Sequence, residues 1–241
     1  MHNDVGLVHW INSRILLANK WFRSFLFKEE DIAMSSINKP GQIVILNGAP
    51  RSGKSSIAMI IQDTFEGVWM NLGVDHFMQM TPKHYQPGIG LRPGGERPNL
   101  EPIITHMYQA MYESIAAHSR RGINVVVDVG HHDGYSAPLG ILPKCAWILN
   151  GLPVVFVGIY CPIEDIMKRR IETWNDSYAE NGAIPEPVKR WQHYVHRPGI
   201  YDLEVDTSLW SAKECANLIF QRLKNSPSPS AFQFIRDRQH E

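Results

Sequence analysis

The chain has 241 residues, of which 44% are hydrophobic, and this is enough apolar material for one large domain or two small ones. Lysine and arginine together number 24, as do aspartate and glutamate, so no net charge draws the protein to nucleic acid or to an acidic membrane. The widely spaced Cys145, Cys161 and Cys215 form no CxxC pair, which argues against a disulfide framework and a zinc site and predicts a reducing, cytoplasmic setting.

Residues 1–40 are predicted to be an N-terminal extension. Polar and basic residues interrupt its apolar stretch, so the segment falls short of a membrane span, and it lacks the features of a cleaved signal. Met34, just before the first predicted strand, is an alternative start that the sequence leaves open. A set of residues at helical spacing predicts an amphipathic helix packed on the domain: Trp10, Arg14, Leu17 and Trp21.

Beyond this extension, apolar runs alternate with helical patterns. Helices are predicted from about Lys54 to Phe65, from about Ile103 to Arg120, and within 161–174. The predicted strands are rich in valine and isoleucine and lack in–out alternation, so they fit a parallel sheet covered by helices on both faces. Five such strands are predicted, in 42–47, 68–75, 123–130, 153–161 and 200–208.

The loop after the first strand, "GAPRSGKSS", fits the pattern GxxxxGKS between a strand and a helix. Gly48 and Gly53 let the backbone curl so that its N–H groups point inward, Lys54 brings a charge to the outer phosphates, and Ser55 offers a hydroxyl to Mg²⁺. ATP with Mg²⁺ is the predicted ligand, since no guanine-reading NKxD is found. The predicted nucleotide-binding residues are Gly48, Ala49, Pro50, Arg51, Ser52, Gly53, Lys54, Ser55 and Ser56.

The predicted fold class is therefore α/β, with a P-loop NTPase-type parallel sheet of about five strands, flanking helices and a helical lid. The kinase domain is predicted over 41–224. The Ser-Pro alternation of 225–241 predicts a flexible C-terminal tail outside the core.

Two aspartates follow predicted strands, and the carboxyl ends of parallel strands meet at one edge of a sheet. Asp75 in "LGVDHF" is the candidate general base toward a hydroxyl, with capping of the following helix as the alternative. Asp128 in "VVVDVG" has the layout of a Walker-B acid that supports Mg²⁺ with Ser55. The residues just after it, His132 and Asp133, are predicted to contact the substrate rather than a metal.

Arginines that stabilise a transferring phosphoryl group should come from a mobile segment that closes over the site. The stretch from 167 to 191 has this character, and Arg169, Arg170 and Arg190 are the candidates. A solvated helical face of charges is the alternative for each of them.

With these motifs, and with "VGIYCP" and "VHRPGIYDLEVDTS" later in the chain, the sequence resembles the chloramphenicol phosphotransferase family from about Gly41 to Phe220. The resemblance implies ATP-dependent phosphorylation of a primary hydroxyl, as in resistance to that antibiotic, with Asp75 as general base, Lys54 in the ATP loop and Arg169 as a lid arginine. A longer lid and Thr173, in place of a second arginine, depart from the family pattern.

The acceptor is a predicted small molecule bearing a hydroxyl. Phe77, Met78, Met80 and Tyr85 suit a partly aromatic acceptor, although such residues are more often core. Arg92 and Arg97, in an insert rich in proline and glycine, could pair with a carboxylate or phosphate that chloramphenicol lacks.

Two other hypotheses remain open at this point. One is a nucleotide-dependent switch or binding module that signals through the insert or the N-terminal helix. The other keeps the kinase but takes a nucleotide-sugar as acceptor, with the insert arginines on its phosphates. The oligomeric state, monomer or homo-oligomer, is not fixed by the sequence.

Overall fold

A computed structural model describes residues 39–174, 179, 182–225 and 230–238. The predicted N-terminal helix around Trp10 and Trp21 lies outside the described residues. In the part that is described, no helix has the length and apolarity needed to cross a membrane.

The strands in the described residues are β1 Ile43–Asn47, β2 Trp69–Asn71, β3 Asn124–Val129, β4 Val154–Tyr160 and β5 Leu203–Asp206. They are parallel and form one sheet in the order β2-β3-β1-β4-β5. The register places Leu46 beside Asp128 and Asn47 beside both Val129 and Gly158, so β1, β3 and β4 end at the same edge. The predicted α/β class with a parallel P-loop-type sheet is confirmed.

Helices cover both faces of this sheet because successive strand residues point to opposite sides. The helices in the described ranges are α1 Lys54–Thr64, α2 Val74–Met80, α3 Glu101–Arg120, α4 Ile141–Ile148, α5 Ile163–Trp174, α6 Glu186–Tyr194, α7 Ala212–Lys224 and α8 Ala231–Asp237, with a 3₁₀ turn at Lys83–Tyr85. Ile43 and Ile45 pack with α3, α4 and α8, whereas Val44 and Leu46 pack with α1 and α7. Each of these four residues is fully buried.

The second strand is shorter than its predicted span of 68–75. It ends at Asn71, whose side-chain Oδ1 accepts a hydrogen bond from the Gly73 backbone N–H at 3.0 Å, and α2 begins at Val74. Asp75 therefore lies in the first turn of α2 and not at the end of the strand.

The predicted flexible tail is wrong for residues 230–238. Ser230 and Gln233 form a reciprocal capping box at the start of α8, which satisfies backbone donors that would otherwise be unpaired. Phe232 and Ile235 are buried in the core beside α3 and α4, and the Phe232 ring stacks on Tyr112. The Ser-Pro alternation thus precedes a short amphipathic helix that covers one face of the sheet.

Candidate active site

The loop between β1 and α1 has a backbone that few residues could adopt. Gly53 has a φ of 95° and the neighbouring Arg51 a φ of 67°, both in the left-handed region. A Cβ at Gly48 would lie 2.5 Å from the Ile159 carbonyl oxygen of β4, so the loop starts in close contact with the sheet. Among the described residues, the backbone N–H groups of Gly53, Lys54 and Ser55 have no acceptor. They form the N-terminal donor set that binds anions in proteins.

Lys54 is held inside this loop. Its Nζ donates to the carbonyl oxygens of Gly48 and Ala49, each at 2.9 Å. Burial lowers the pKa of Lys54 to about 8, against the raising influence of Asp128 and Asp75. An ammonium fixed at this place in the loop is positioned to meet the charge of a phosphate chain.

Ser55 and Asp128 meet across the sheet edge. The Ser55 hydroxyl donates to Asp128 Oδ2 at 2.8 Å, and Asp128 is buried near the end of β3. A Cβ at Gly73 would overlap the Asp128 carboxylate, so only glycine leaves room for this aspartate. A serine hydroxyl and a carboxylate are hard oxygen donors of the kind that Mg²⁺ prefers, and their fit to the ion is therefore good.

Asp75 does not cap α2 through its side chain. The N-cap position is Gly73, with no side-chain capping bond, and Asp75 is exposed on the wall of the same cleft that contains Lys54 and Ser55. An exposed carboxylate at this position is free to accept a proton from a bound molecule.

Arg169 of α5 is fixed to both the loop and the end of β5. Its guanidinium donates to Thr207 Oγ1 at 2.9 Å, to the Thr207 carbonyl at 2.7 Å and to the Arg51 carbonyl at 3.3 Å. Thr207 Oγ1 in turn donates to the Ser52 carbonyl at 2.7 Å. Thr207 is a residue that the sequence reasoning missed, although its position directly after the last strand was a usable signal.

The other lid candidates are placed differently. Arg190 of α6 lies 3.7 Å from carboxylate oxygens of Glu96 and Glu186, and it does not line the cleft. Arg170 does not line the cleft either. Of the three arginines, Arg169 alone is on the cleft wall among the described residues.

The glycine loop, the Ser55–Asp128 pair, Asp75 and Arg169 line one cleft of about 1170 Å³ at the carboxyl edge of the sheet. That volume exceeds the roughly 300–1000 Å³ typical of a site for one small ligand, so the cleft has room for a nucleotide and a second molecule. One end is lined by the loop and by Thr207 and Trp210, and the other end by residues of α2, the insert and α3: Val74, Met78, Pro87, Leu91, Arg92, Arg97 and Tyr108.

The model of the family described as chloramphenicol phosphotransferase-like protein matches residues 41–224. The chain belongs to this family. The match includes the glycine loop, Asp75, Asp128, Arg169 and Thr207, so the site just described lies within the family's domain. Family membership confirms the predicted resemblance and the prediction of a phosphotransferase.

Two proteins of Mycobacterium tuberculosis, both named "Putative O-phosphotransferase", are 25% identical to this chain over 218 residues, covering 82% of it and 89% of each relative. Among solved structures, the APS kinase CysC of M. tuberculosis in complex with AMPPNP and APS matches with a TM-score of 0.53 and 17% identity, over 78% of this chain and 99% of that one. Shikimate kinase from Acinetobacter baumannii gives a TM-score of 0.51 and 13% identity, over 80% and 98%. At these identities the structural matches show a shared fold.

Several predicted substrate residues are not brought to the cleft of this family member. Phe77 packs against the core, and Tyr85 is exposed in the 3₁₀ turn beside His84. His132 is buried, with Nε2 bonded to the Leu91 carbonyl at 2.8 Å, and the Asp133 carboxylate accepts from the backbone N–H groups of Leu139 and Gly140. None of these four residues lines the cleft. For His132 and Asp133 the reason is that the chain after β3 turns away from it.

A tryptophan that the sequence reasoning missed lines the cleft where His132 and Asp133 were expected. Trp191 of α6 lines the cleft, and its ring meets the His132 ring edge-on with centroids 5.1 Å apart. A Cβ at Gly130 would lie 2.8 Å from this indole. The absence of a side chain after β3 is what lets α6 pack over the site.

Proposed function

We propose that this protein transfers the γ-phosphoryl group of ATP to a hydroxyl group of a small molecule, with Mg²⁺ bound at the loop. The observation that carries the proposal is the arrangement of one cleft: a phosphate-binding loop with Lys54, the Ser55–Asp128 pair and the exposed carboxylate of Asp75 all line it. A nucleotide site needs only the first two. The additional carboxylate favours a hydroxyl acceptor over water.

At the nucleotide end, the unpaired N–H groups of the loop would bind the phosphate oxygens, and Lys54 and Arg169 would offset the charge on the transferring group. Ser55 and Asp128 would hold Mg²⁺, which supplies charge neutralisation on the phosphates. Arg169 is already anchored by Thr207, so its guanidinium needs little ordering when the nucleotide binds.

At the acceptor end, Asp75 would take the proton of the acceptor hydroxyl as its oxygen bonds to the γ-phosphorus and the bond to the ADP oxygen breaks. Desolvated apolar groups, Met78, Leu91 and Tyr108, would hold the acceptor body next to this carboxylate. Chloramphenicol is the first acceptor to test, because the family is described as chloramphenicol phosphotransferase-like.

A second candidate acceptor class is favoured by Arg92 and Arg97. Both line the acceptor end, and Arg97 is oriented by a hydrogen bond of 3.1 Å to the Gln86 carbonyl. Arginine pairs with carboxylate and phosphate through two parallel hydrogen bonds. An acceptor with an anionic group, a nucleotide-sugar included, therefore fits this end better than a neutral one.

The test is an ADP-release assay with Mg-ATP and matched acceptors, with mass spectrometry of the products. The panel pairs chloramphenicol with hydroxylated carboxylates and with phosphorylated sugars and nucleotide-sugars. Asp75→Asn keeps the size of the side chain and removes the base, so nucleotide binding should persist while product formation falls by about 100-fold or more. Gln79→Glu, a change of an exposed residue on the same helix, is the matched control.

A product heavier by one phosphoryl group, formed by the parent protein and the control but not by Asp75→Asn, would support the proposal. Unchanged acceptor turnover in Asp75→Asn would contradict the role of this carboxylate. ADP release that no acceptor alters would favour the nucleotide-dependent switch instead.

A further inference from the structure

A second cavity lies on the far side of the segment that follows β3. Its volume is about 270 Å³, and it is lined by residues from this segment, from α4, from the chain after α6 and from α8. His132 and Asp133, expected at the substrate, line this cavity and not the cleft. Its walls are formed mainly by aliphatic side chains and proline rings: Ile141, Leu142, Pro143, Pro198, Ile200 and Ile235.

The polar groups of this cavity are mostly donors. Arg197 and Arg238 are exposed residues on its lining, and α4 begins there at Ile141, directly after its N-cap Gly140, so the positive end of a helix dipole lies at the same space. The one carboxylate on the lining, Asp133, is already bonded to the backbone N–H groups of Leu139 and Gly140. The charge balance of the cavity therefore favours an anion.

His131 adds a polar atom that a ligand could use. This residue is 2% exposed and lines the cavity. Its Nε2 is bonded to the Tyr112 hydroxyl at 2.7 Å, and among the described residues Nδ1 has no hydrogen-bond partner. Nδ1 is not among the fully buried atoms, so a polar ligand in the cavity can reach it and bond to it.

We propose that this cavity binds a small carboxylate with a short apolar body. The hydrocarbon would lie against Leu142, Ile200 and Ile235, and the carboxylate would pair with Arg197 and Arg238 at the rim. The site is separate from the proposed active site. Binding of the carboxylate does not depend on the proposed function, whereas its effect on nucleotide binding, described next, rests on it.

A ligand in this cavity would affect the phosphate loop through Asn47, the last residue of β1. Asn47 Oδ1 accepts from the backbone N–H of His131 at 2.7 Å, and its Nδ2 donates to the Val195 carbonyl and to the Tyr201 hydroxyl, each at 2.8 Å. His131 and the segment between Val195 and Tyr201 both line the cavity, and Asn47 directly precedes Gly48. The cavity is thereby an effector site for nucleotide binding.

The test measures binding of hexanoate to the full chain by calorimetry, without nucleotide, next to hexanol and hexylamine as neutral and cationic probes of the same length. Hexanoate should bind saturably and more tightly than the other two, and added NaCl should weaken it. Arg197→Gln and Arg238→Gln should each weaken binding by up to about fivefold, since a rim ion pair is worth 1 kcal/mol or less. Arg121→Gln, an exposed arginine at the end of α3, should change nothing.

Leu142→Trp fills the cavity and should abolish hexanoate binding. If this variant does not fold, the two arginine variants still decide the result. The proposed site would be overturned if hexanoate showed no saturable binding up to about 10 mM, which corresponds to a binding free energy of about 3 kcal/mol. Equal affinities for hexanoate and hexanol would overturn it too. An unchanged affinity for an ATP analogue when hexanoate is saturating would overturn the effector role.

Discussion

The two ends of the cleft are built in different ways. At the nucleotide end, nine consecutive residues supply the phosphate loop, and backbone conformation fixes their geometry. At the acceptor end, α2, the insert and α3 each contribute side chains that come together only in the folded chain. This difference explains why the sequence predicts the reaction class but not the acceptor, since loop geometry tolerates few residues and a side-chain wall tolerates many.

The strongest test of this comparison is Lys54→Met, which removes the ammonium and keeps the length of the side chain. Phosphoryl transfer should fall by about 100-fold to 1000-fold, the cost of losing one preorganised group at the transferring charge. The thermal midpoint should change little, because a buried charge is removed along with its two hydrogen bonds. Activity within tenfold of the parent would show that the nucleotide end is less strictly built than its geometry indicates.

A pair of glycine substitutions separates the two ends. Gly73→Ala would push the Asp128 carboxylate away from Ser55, so activity should fall by about 100-fold and the Mg²⁺ requirement should rise. Gly90→Ala places a Cβ 3.6 Å from Val74 and 3.8 Å from Met78, which is ordinary contact, so it should alter the acceptor KM by a few fold and leave the nucleotide KM unchanged. Steady-state kinetics with each substrate varied in turn measures both effects. If Gly73→Ala changed the acceptor KM more than Gly90→Ala does, the proposed difference between the two ends would be contradicted.

A smaller effect is expected where a side chain, rather than the backbone, supports the nucleotide end. Thr207→Val removes the hydroxyl that bonds to Ser52 and accepts from Arg169, so kcat should fall by about tenfold as the arginine loses one anchor. Thr207→Ser retains the hydroxyl and should recover most of the rate. If both variants behave alike, the methyl group and not the hydrogen bonds positions Arg169.

The smallest expected effect is on the free energy of unfolding, through two histidines near the nucleotide end. Burial lowers the pKa of His131 to about 3 and that of His196 to about 4. The unfolded chain then binds more protons below pH 6.5, so the stability these imidazoles contribute is complete above that pH and is lost as the pH falls toward 4 and 3. Urea unfolding between pH 7 and pH 5 should show this loss, and His131→Gln should reduce the slope by up to about 1.4 kcal/mol per pH unit, a limit approached near pH 5.

His106→Gln, an exposed residue of α3, is the matched control and should leave that slope unchanged. An acid dependence identical in the parent and in His131→Gln would show that His131 does not contribute to it.

The sequence by itself determined the parallel α/β sheet, the phosphate loop and the partnership of Ser55 with Asp128. These follow from strand composition and from a loop whose function requires particular residues in consecutive positions. It left three candidate arginines, of which the family resemblance favoured Arg169, and it did not point to Thr207, which anchors Arg169 from 38 residues further along the chain.

Only the tertiary structure decided where the segment after β3 goes. His132 and Asp133 follow a strand that ends at the active edge, yet Gly130 admits Trp191, and the chain turns behind it into the second cavity. The same is true of α8, whose Phe232 and Ile235 are buried against α3 and α4. Packing between distant elements has no signature in a local pattern, because the buried partner of each side chain is set by the whole fold.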